Sequence, residues 1–512
     1  MYQQEKDRQI EDRAKIQRDR LNGAKPDIEE FATLEKAGKL PSLLKGSVDA
    51  ANITQSTPVS NNGFSVLIPQ DISRRVYSTM LKRKERCTFI ENIEREQVDQ
   101  VKRDRVILKR HGNYFSPLGM GEKSLPAVNR PLMDRTIATV RYYGVMPTLT
   151  HVAEHVNILQ GKYPVVRADG PGGLNFEREA AIESLAEKLE IAYFHGDNDF
   201  DADEGDGFFV QMEAGGTANI NVFDLRGATV TFDKLIDYLA GLMRLEYEGK
   251  PNAWYLPPEM WAPLSKEAAG KNRLDPAKGV KIFWNQDMTQ LLMSGPTGQT
   301  VELRNSLFCS PNWNVANVVA DGDASVDYWA MTEANLVGGA MTSPTGVSVS
   351  LTSQFGVSDA GDYIYKFVPI YKKGNPAPFT CTALTIADGD VGKADFNDAG
   401  FSSTLVGYHW WRSAKDSTTV FHYGGKFGRN TLGASSGTLW YDTNARIPGT
   451  FKSALVHHGD GAILDNVLLE SFQDDMGRIE RELRMVVGTY RGLSVDQPKR
   501  HIALLNAAGI SF

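Results

Sequence analysis

Residues 175–196 read NFEREAAIESLAEKLEIAYFHG, and this stretch decides how the chain is parsed. Ile182, Leu185, Ala186, Leu189 and Tyr193 recur at helical spacing, which puts them on one face. Gly196 supplies a stop signal. The spacing predicts a long amphipathic helix that buries this face by lying across a sheet. The segment before it, ADGPGGLN (168–175), is glycine-rich but lacks the Lys-Ser/Thr of a phosphate cradle, so it reads as the turn into the helix.

Moving toward the C-terminus, Phe232, Leu235, Ile236, Leu239, Leu242 and Leu245 predict a second helix that stops before Gly249 and Pro251. Directly after it, NAWYLPPEMWAPL (252–264) reads as a buried strand followed by a helix start at the prolines. Beyond about Met341 the composition shifts to Ser, Thr, Gly and aromatics. Val347, Val349 and Leu351 alternate, as do Tyr363, Tyr365 and Phe367, and later Tyr408 and Trp410. This pattern predicts a sandwich-like β module of roughly 100 residues. After DTNARIPGT (442–450) the pattern is mixed again and ends in MVVGTYRGLSVDQPKRHIALLN (485–506), which reads as paired strands. One domain is therefore expected inside another.

Moving toward the N-terminus, two limbs with β-type alternation, VKRDRVILKRHG (101–112) and DRTIATVRYYGVMPTLT (134–150), flank the turn-rich NYFSPLGMGEKSLPAVNRPLM (113–133). Strands with charges at alternate positions bury little of either face, so a projecting hairpin that needs a neighbour to cover it is expected. Residues 41–70 are rich in Ser, Asn, Pro and Gly and read as an extended arm or linker. The first 30 residues mix acids and bases at helical spacing, for example Glu5, Arg8, Asp12 and Lys15. Such a polar helix is marginal alone and is expected as a solvated face or an arm held by another subunit.

With 512 residues, at least two domains are expected. The composition, 41% hydrophobic and 23% charged, is that of a globular protein. Cys87, Cys309 and Cys381 are far apart and form no CxxC pair, which fits a reduced compartment. No secretory core and no run of about 20 apolar residues is present, so no membrane partner is expected. The net charge of −7 disfavours whole-surface attraction to nucleic acid.

Several motifs invite chemistry. HVAEH (151–155) matches a zinc-peptidase pattern with His151 and His155 as ligands and Glu154 as base. A site would need a third ligand; Glu177 and Glu179 are candidates, and nothing singles out either. So loose a pattern recurs by chance, and the competing reading is a satisfied surface pair. In DNDFDADEGDG (197–207), Asp199, Asp201 and Asp203 alternate as in a calcium loop. The glycine falls one place late, at Gly205, and Val210 stands where a bidentate Glu belongs, so a solvated loop is the alternative. Positive charge concentrates in residues 74–110, including RRVYSTMLKRKER (74–86). Without interleaved aromatics this favours subunit contact over nucleic-acid recognition. The contact candidates are Lys102, Arg103, Arg105, Lys109, Arg110, Lys123, Arg130 and Arg135.

In order, a polar arm, a protruding hairpin, TLTHVAEHVNIL (148–159), AAIESLAEKLEIAYFHGD (180–197) and GFFVQ (207–211) resemble the major capsid proteins of tailed bacteriophages. FDKLIDYLAGLMRLEYEGKPNAWYLPPEMW (232–261) looks like the start of that family's axial domain, and LLESFQDDMGRIERELRMVVGTYRGLSVDQPKRHIALLN (468–506) like its closing segment. GVSVSLTSQFGVSDAGDYIYKFVPIYKKGNPAP (346–378) and GYHWWRSAKDSTTVFHY (407–423) resemble an immunoglobulin-like or fibronectin type III-like insertion found in some members.

The resemblance implies an α+β fold of the tailed-phage major capsid type with an inserted all-β Ig-like domain. Its parts would be an N-terminal helix and arm (1–75), an extended loop (76–145) and a peripheral domain with a long spine helix (146–222). An axial domain (223–340), the insertion (341–445) and a closing part (446–512) would follow. It implies self-assembly into hexamers and pentamers of an icosahedral head around double-stranded DNA, with no enzyme activity and no cofactor. Portal, scaffold or decoration proteins would be partners, packaged DNA would touch the inner face non-specifically, and the chain would be built into virions in the host cytoplasm. Some relatives crosslink through Lys and Asn; Lys123 invites the comparison but has no matching partner. A phage tail or surface adhesin would explain the β module but not the helix-rich region before it, and a zinc peptidase would explain HVAEH.

Overall fold

The computed structural model describes residues 87–512 except 111, 113–129, 151–171, 244–248, 273–281, 285–290, 295–299, 311–312, 314, 319–331, 344–351, 373, 399–404, 431–436, 480–481 and 511–512. The predicted helix is there as α1, Gly172–His195. Leu185, Ala186, Leu189 and Tyr193 are buried, and Ile182 is half-buried at the edge of the same stripe. Each large apolar side chain so covered contributes roughly 1.5–3 kcal/mol. Gly196 follows the last helical residue, its N–H still on the Ala192 carbonyl at 2.8 Å, and no side chain fits there because a Cβ would run into the Gly205 and Ala192 carbonyls.

The sheet beneath α1 has Ile463–Ile479 and Glu482–Val495 as a long antiparallel ribbon. Glu94–Gln97 runs parallel along one edge, and Arg141–Val145 and Thr148–Thr150 pair with the other. Met485, Val487, Leu493 and Val495 meet the helix. Two polar links fasten it. The Tyr193 hydroxyl donates to Asp465 at 2.5 Å, and Arg491 donates to the same carboxylate at 3.2 Å. Buried Glu190 accepts the backbone N–H groups of Phe89 and Ile90, both at 2.9 Å, and burial pushes its carboxyl up to about 7.

A second, seven-stranded sheet runs Val222–Asp224, Ile502–Ala507, Phe451–Val456, Ala253–Leu256, Thr300–Asn305, Leu291–Ser294, Ile282–Trp284. Ala253–Leu256 is the strand expected from AWYL, and all four residues are buried. The short helix α2, Phe208–Gly215, follows the acidic loop. Helix α3 occupies Phe232–Leu242, closed at its start by the Thr231 side chain, which accepts from the Lys234 N–H at 3.4 Å. It ends three residues earlier than the spacing predicted, and Leu245 lies outside the described residues. Helix α4, Pro258–Asn272, begins at the prolines as expected. Phe232, Leu235, Leu239, Trp254, Leu455 and Leu504 form this layer's core.

Between Thr300–Asn305 and Phe451–Val456 the regular elements from Gly361 to Asp442 are all strands. Phe379–Thr380, Tyr365–Tyr371, Leu405–Ser413 and Phe421–Gly428 make an antiparallel sheet. Gly361–Tyr363 pairs with Leu384–Ile386, and Gly392–Asp395 with Leu439–Asp442. Tyr363, Tyr365, Phe367, Tyr408 and Trp410 are buried, in line with the alternation; Val347, Val349 and Leu351 lie outside the described residues. The enclosed Arg412 donates to Asp442 at 2.7 Å and to Asn444 at 2.8 Å, and the Tyr365 hydroxyl completes Asp442 at 2.8 Å. A buried ion pair with its remaining bonds filled is costly to break from one side. The chain is α+β: helices cover the two main sheets, and among the described residues the inserted module is built mainly of strands, with one helical turn at Val315–Val318 and a 3-10 turn at Glu333–Asn335.

Candidate assembly surface

The hairpin pairs Lys102–Arg110 with Leu132–Thr139, with Asp104 opposite Ile137, Arg105 opposite Thr136, Val106 opposite Arg135 and Leu108 opposite Met133. Opposed residues share a face, so this register sorts the hairpin into two sides. On one side Arg105 donates to Asp496 at 2.6 Å and to the Gly461 carbonyl at 2.8 Å, while Thr136 donates to Asp496 at 3.2 Å. Arg103, on the same side, donates to Asn466 at 2.7 Å and pairs with Glu96. These contacts pin the root of the hairpin to the ribbon sheet.

The other side carries Val106, Leu108, Met133 and Ile137 with the Asp104–Arg135 ion pair among them. Val106, Met133 and Ile137 are 65%, 60% and 63% exposed. A two-stranded ribbon bare on one face is marginal alone. Contiguous exposed apolar side chains rimmed by charge are the mark of an interaction site.

A second bare patch lies on the ribbon sheet, on the face away from α1. The rings of Tyr142, Phe472 and Tyr490 stand 5.3–5.9 Å apart. They cover Gly144 and Gly488, which are opposite each other in the register. A Cβ on Gly144 would lie 2.3 Å from the Tyr142 hydroxyl, and one on Gly488 2.7 Å from the Phe472 ring, so the rings rest on bare backbone. Tyr142, Met146 and Leu469 are exposed. Sequence reading missed this ledge. Its signal is the pairing of YYG (142–144) with GTY (488–490), aromatic over glycine across neighbouring strands.

The eight contact candidates separate. Lys102, Arg130 and Arg135 are exposed, and Arg135 pairs only within the hairpin. Arg103 and Arg105 are turned toward their own chain, each still partly exposed; alternation showed two faces but not which one met the body. The side chains of Lys109 and Arg110 lie outside the described residues, as do Lys123, His151, Glu154 and His155.

The acidic loop after α1 keeps Asp199 and Asp203 exposed and meets two lysines of the β module. Lys372 of the β module donates to Asp203 at 3.1 Å, and Lys426 donates to Glu204 at 2.5 Å while lying over the Phe200 ring. The carboxylates of Asp197 and Asp201 accept the N–H groups of Asp199 and Asp203. Asp203 and Glu204 thus tie the loop to the β module, and the Asp197 and Asp201 carboxylates are turned onto the loop's own backbone. Among the described residues no group of three or more His, Cys, Asp or Glu is arranged to hold a metal ion.

No family model matches the chain, and no curated protein matches it. Among solved structures it is similar to a chain of the holo-SrpI encapsulin complex from Synechococcus elongatus, at 9% identity and a TM-score of 0.41, over 86% of this chain and 94% of that one. It is similar to the capsid of Myoviridae phage XM1 at 9% identity and a TM-score of 0.38, over 85% and 96%. The capsid of cyanophage P-SCSP1u matches at 10% and 0.38, over 92% and 99%. All three are weak likenesses that by themselves assign neither family nor function.

Proposed function

We propose that this chain is a shell subunit, the major capsid protein of a tailed phage, and that it acts by self-assembly rather than by catalysis. The observation that carries this reading is the hairpin, fixed at its root by Arg103 and Arg105 and bare along Val106, Leu108, Met133 and Ile137. A surface held rigid on one side and left apolar on the other is completed by another copy. Repeating one modest contact by symmetry closes a shell, because each added neighbour raises the effective concentration of the next.

Hexamers and pentamers, an immunoglobulin-like insertion on the outer surface and non-specific contact with packaged DNA on the inner face are parts of the same proposal. They rest on the sequence resemblance. Portal, scaffold or decoration proteins would join the virion shell, and assembly would take place in the host cytoplasm.

Electron microscopy and sedimentation of the purified chain test the reading: rings or shells are expected. A chain with residues 105–138 deleted should stay soluble and fail to assemble. Wild-type protein that remains monomeric under every assembly condition, or normal particles from the deletion, would overturn it.

A further inference from the structure

A cleft of about 880 Å³ opens where α1, the acidic loop and α2 meet the β module. Its lining carries both signs of charge, and the cations come from the β module and the chain leaving it. Arg446 and Lys452 come from the chain returning from the module, and Lys426 from the strand Phe421–Gly428. The wall beside them is aromatic, with Trp313 and Tyr423 at 5.3 Å and tilted to one another. Arg446 lies over Tyr423 at 5.7 Å, and Lys452 over Phe209 at 5.0 Å. Gly425, at φ +141, makes room for the guanidinium; a Cβ there would fall 2.6 Å from it.

The charges in this cleft are unevenly matched. Lys426 is satisfied by Glu204 and Lys372 by Asp203. Lys452 has only a long contact of 3.8 Å with Glu213, whose side chain is half-exposed. Among the described residues no carboxylate lies within ion-pair distance of Arg446. Taking a guanidinium and an ammonium largely out of water with so little pairing costs several kcal/mol. Burial first, and Arg446 beside it second, bring the Lys452 ammonium down to about 8. The wall therefore favours the arrival of negative charge. The cleft does not favour just any anion: Asp197, Asp201, Asp203, Glu204 and Glu213 also line it and repel a polyanion such as a nucleic-acid strand.

We propose that this cleft binds a small organic anion, its phosphate or carboxylate oxygens on Arg446 and Lys452 and its flat apolar body against Trp313 and Tyr423. The volume lies within the roughly 300–1,000 Å³ of small-molecule sites. A planar guanidinium presents the fork that matches phosphate or carboxylate oxygens in pairs.

The site is independent of whether the chain assembles, so it is tested on the full-length subunit. Phenyl phosphate carries both halves of the proposed ligand; inorganic phosphate and phenol carry one each. Isothermal titration should show one phenyl phosphate per chain, bound about tenfold or more tightly than either half. Arg446→Ala should weaken it by about tenfold or more, with inorganic phosphate weakened alongside and phenol unchanged. The probe stays a dianion between about pH 7 and about pH 9, so affinity should fall across that interval as Lys452 loses its proton. Should Arg446→Ala not fold, Lys452→Met serves instead and should abolish the pH dependence while weakening binding. Absence of binding at ~10 mM phenyl phosphate would overturn the proposal, as would equal affinity in wild type and variant. An affinity flat across the pH interval would do the same.

Discussion

Two antiparallel ribbons of this chain differ most in what covers them. The ribbon Ile463–Ile479/Glu482–Val495 has α1 across one face and the links from Tyr193 and Arg491 to Asp465 beneath it. The ribbon Lys102–Arg110/Leu132–Thr139 has a pinned root and an apolar face that is exposed among the described residues. Pairing geometry is the same in both; cover is not. The difference teaches that local strand chemistry makes a ribbon, whereas the burial that stabilises it comes from elsewhere. For the first ribbon that source is the same chain, and for the second we propose another copy.

The comparison is broken most directly from the covered side. Leu189→Ala should destabilise the isolated subunit by about 2–5 kcal/mol, read as a lower urea midpoint, because it opens a cavity between α1 and the ribbon. A loss well under ~1 kcal/mol would mean that α1 is not the cover. Next is the pinned root. Arg105→Ala strands the buried Asp496 carboxylate, and with Arg105 itself partly exposed the expected loss is about 1–3 kcal/mol in the same measurement. On the bare side the sign of the lesson reverses. Val106→Ser with Ile137→Ser should change subunit stability by about 0.5 kcal/mol or less, yet abolish the particles seen by electron microscopy. Assembly that survives this pair would remove the outer face from the proposal.

The smallest expected effect is the response to pH. Burial lowers His501 to about 3 and His458 to about 4 from their ordinary value near 6.5. The unfolded chain then binds more protons below about 6.5, so these two groups contribute stability that is lost as pH falls through that value. Glu190, raised to about 7, acts in the opposite direction and favours the folded state as pH falls from about 7 toward 4.5. Glu190→Gln should therefore steepen the loss of stability between about pH 7.5 and about pH 5.5, followed by urea midpoints. An unchanged slope would show that the carboxyl does not titrate there.

Much of this was legible in the residues. The α1 stripe was readable because one face of a helix is written at a fixed period, and AWYL followed by Pro-Pro marks a buried strand and a helix start wherever it occurs. The hairpin limbs were legible for the same reason, in the period of two. Which of their faces met the body was not: Arg105 and Val106 alternate equally well, and only the arrival of Asp496 from the far end of the chain decides between them. The partners of the acidic loop were hidden for a related reason. Aspartates at alternate positions suit a cation, and the lysines at 372 and 426 that engage the loop lie more than 160 positions downstream. The ledge of Tyr142, Phe472 and Tyr490 and the cleft at Arg446 are likewise made by long-range register, which no local window contains.

The path by which the chain leaves and rejoins its seven-stranded sheet has a practical consequence. Thr300–Asn305 and Phe451–Val456 flank Ala253–Leu256 on either side, with Asn305 beside Leu256 and Phe451 just beyond the same end. Exit and return are thus about two strand spacings, ~10 Å, apart on a single edge. A segment inserted there needs its own ends only that far apart, so the chain can depart after Asn305 and return at Phe451 while the seven strands keep one continuous ladder.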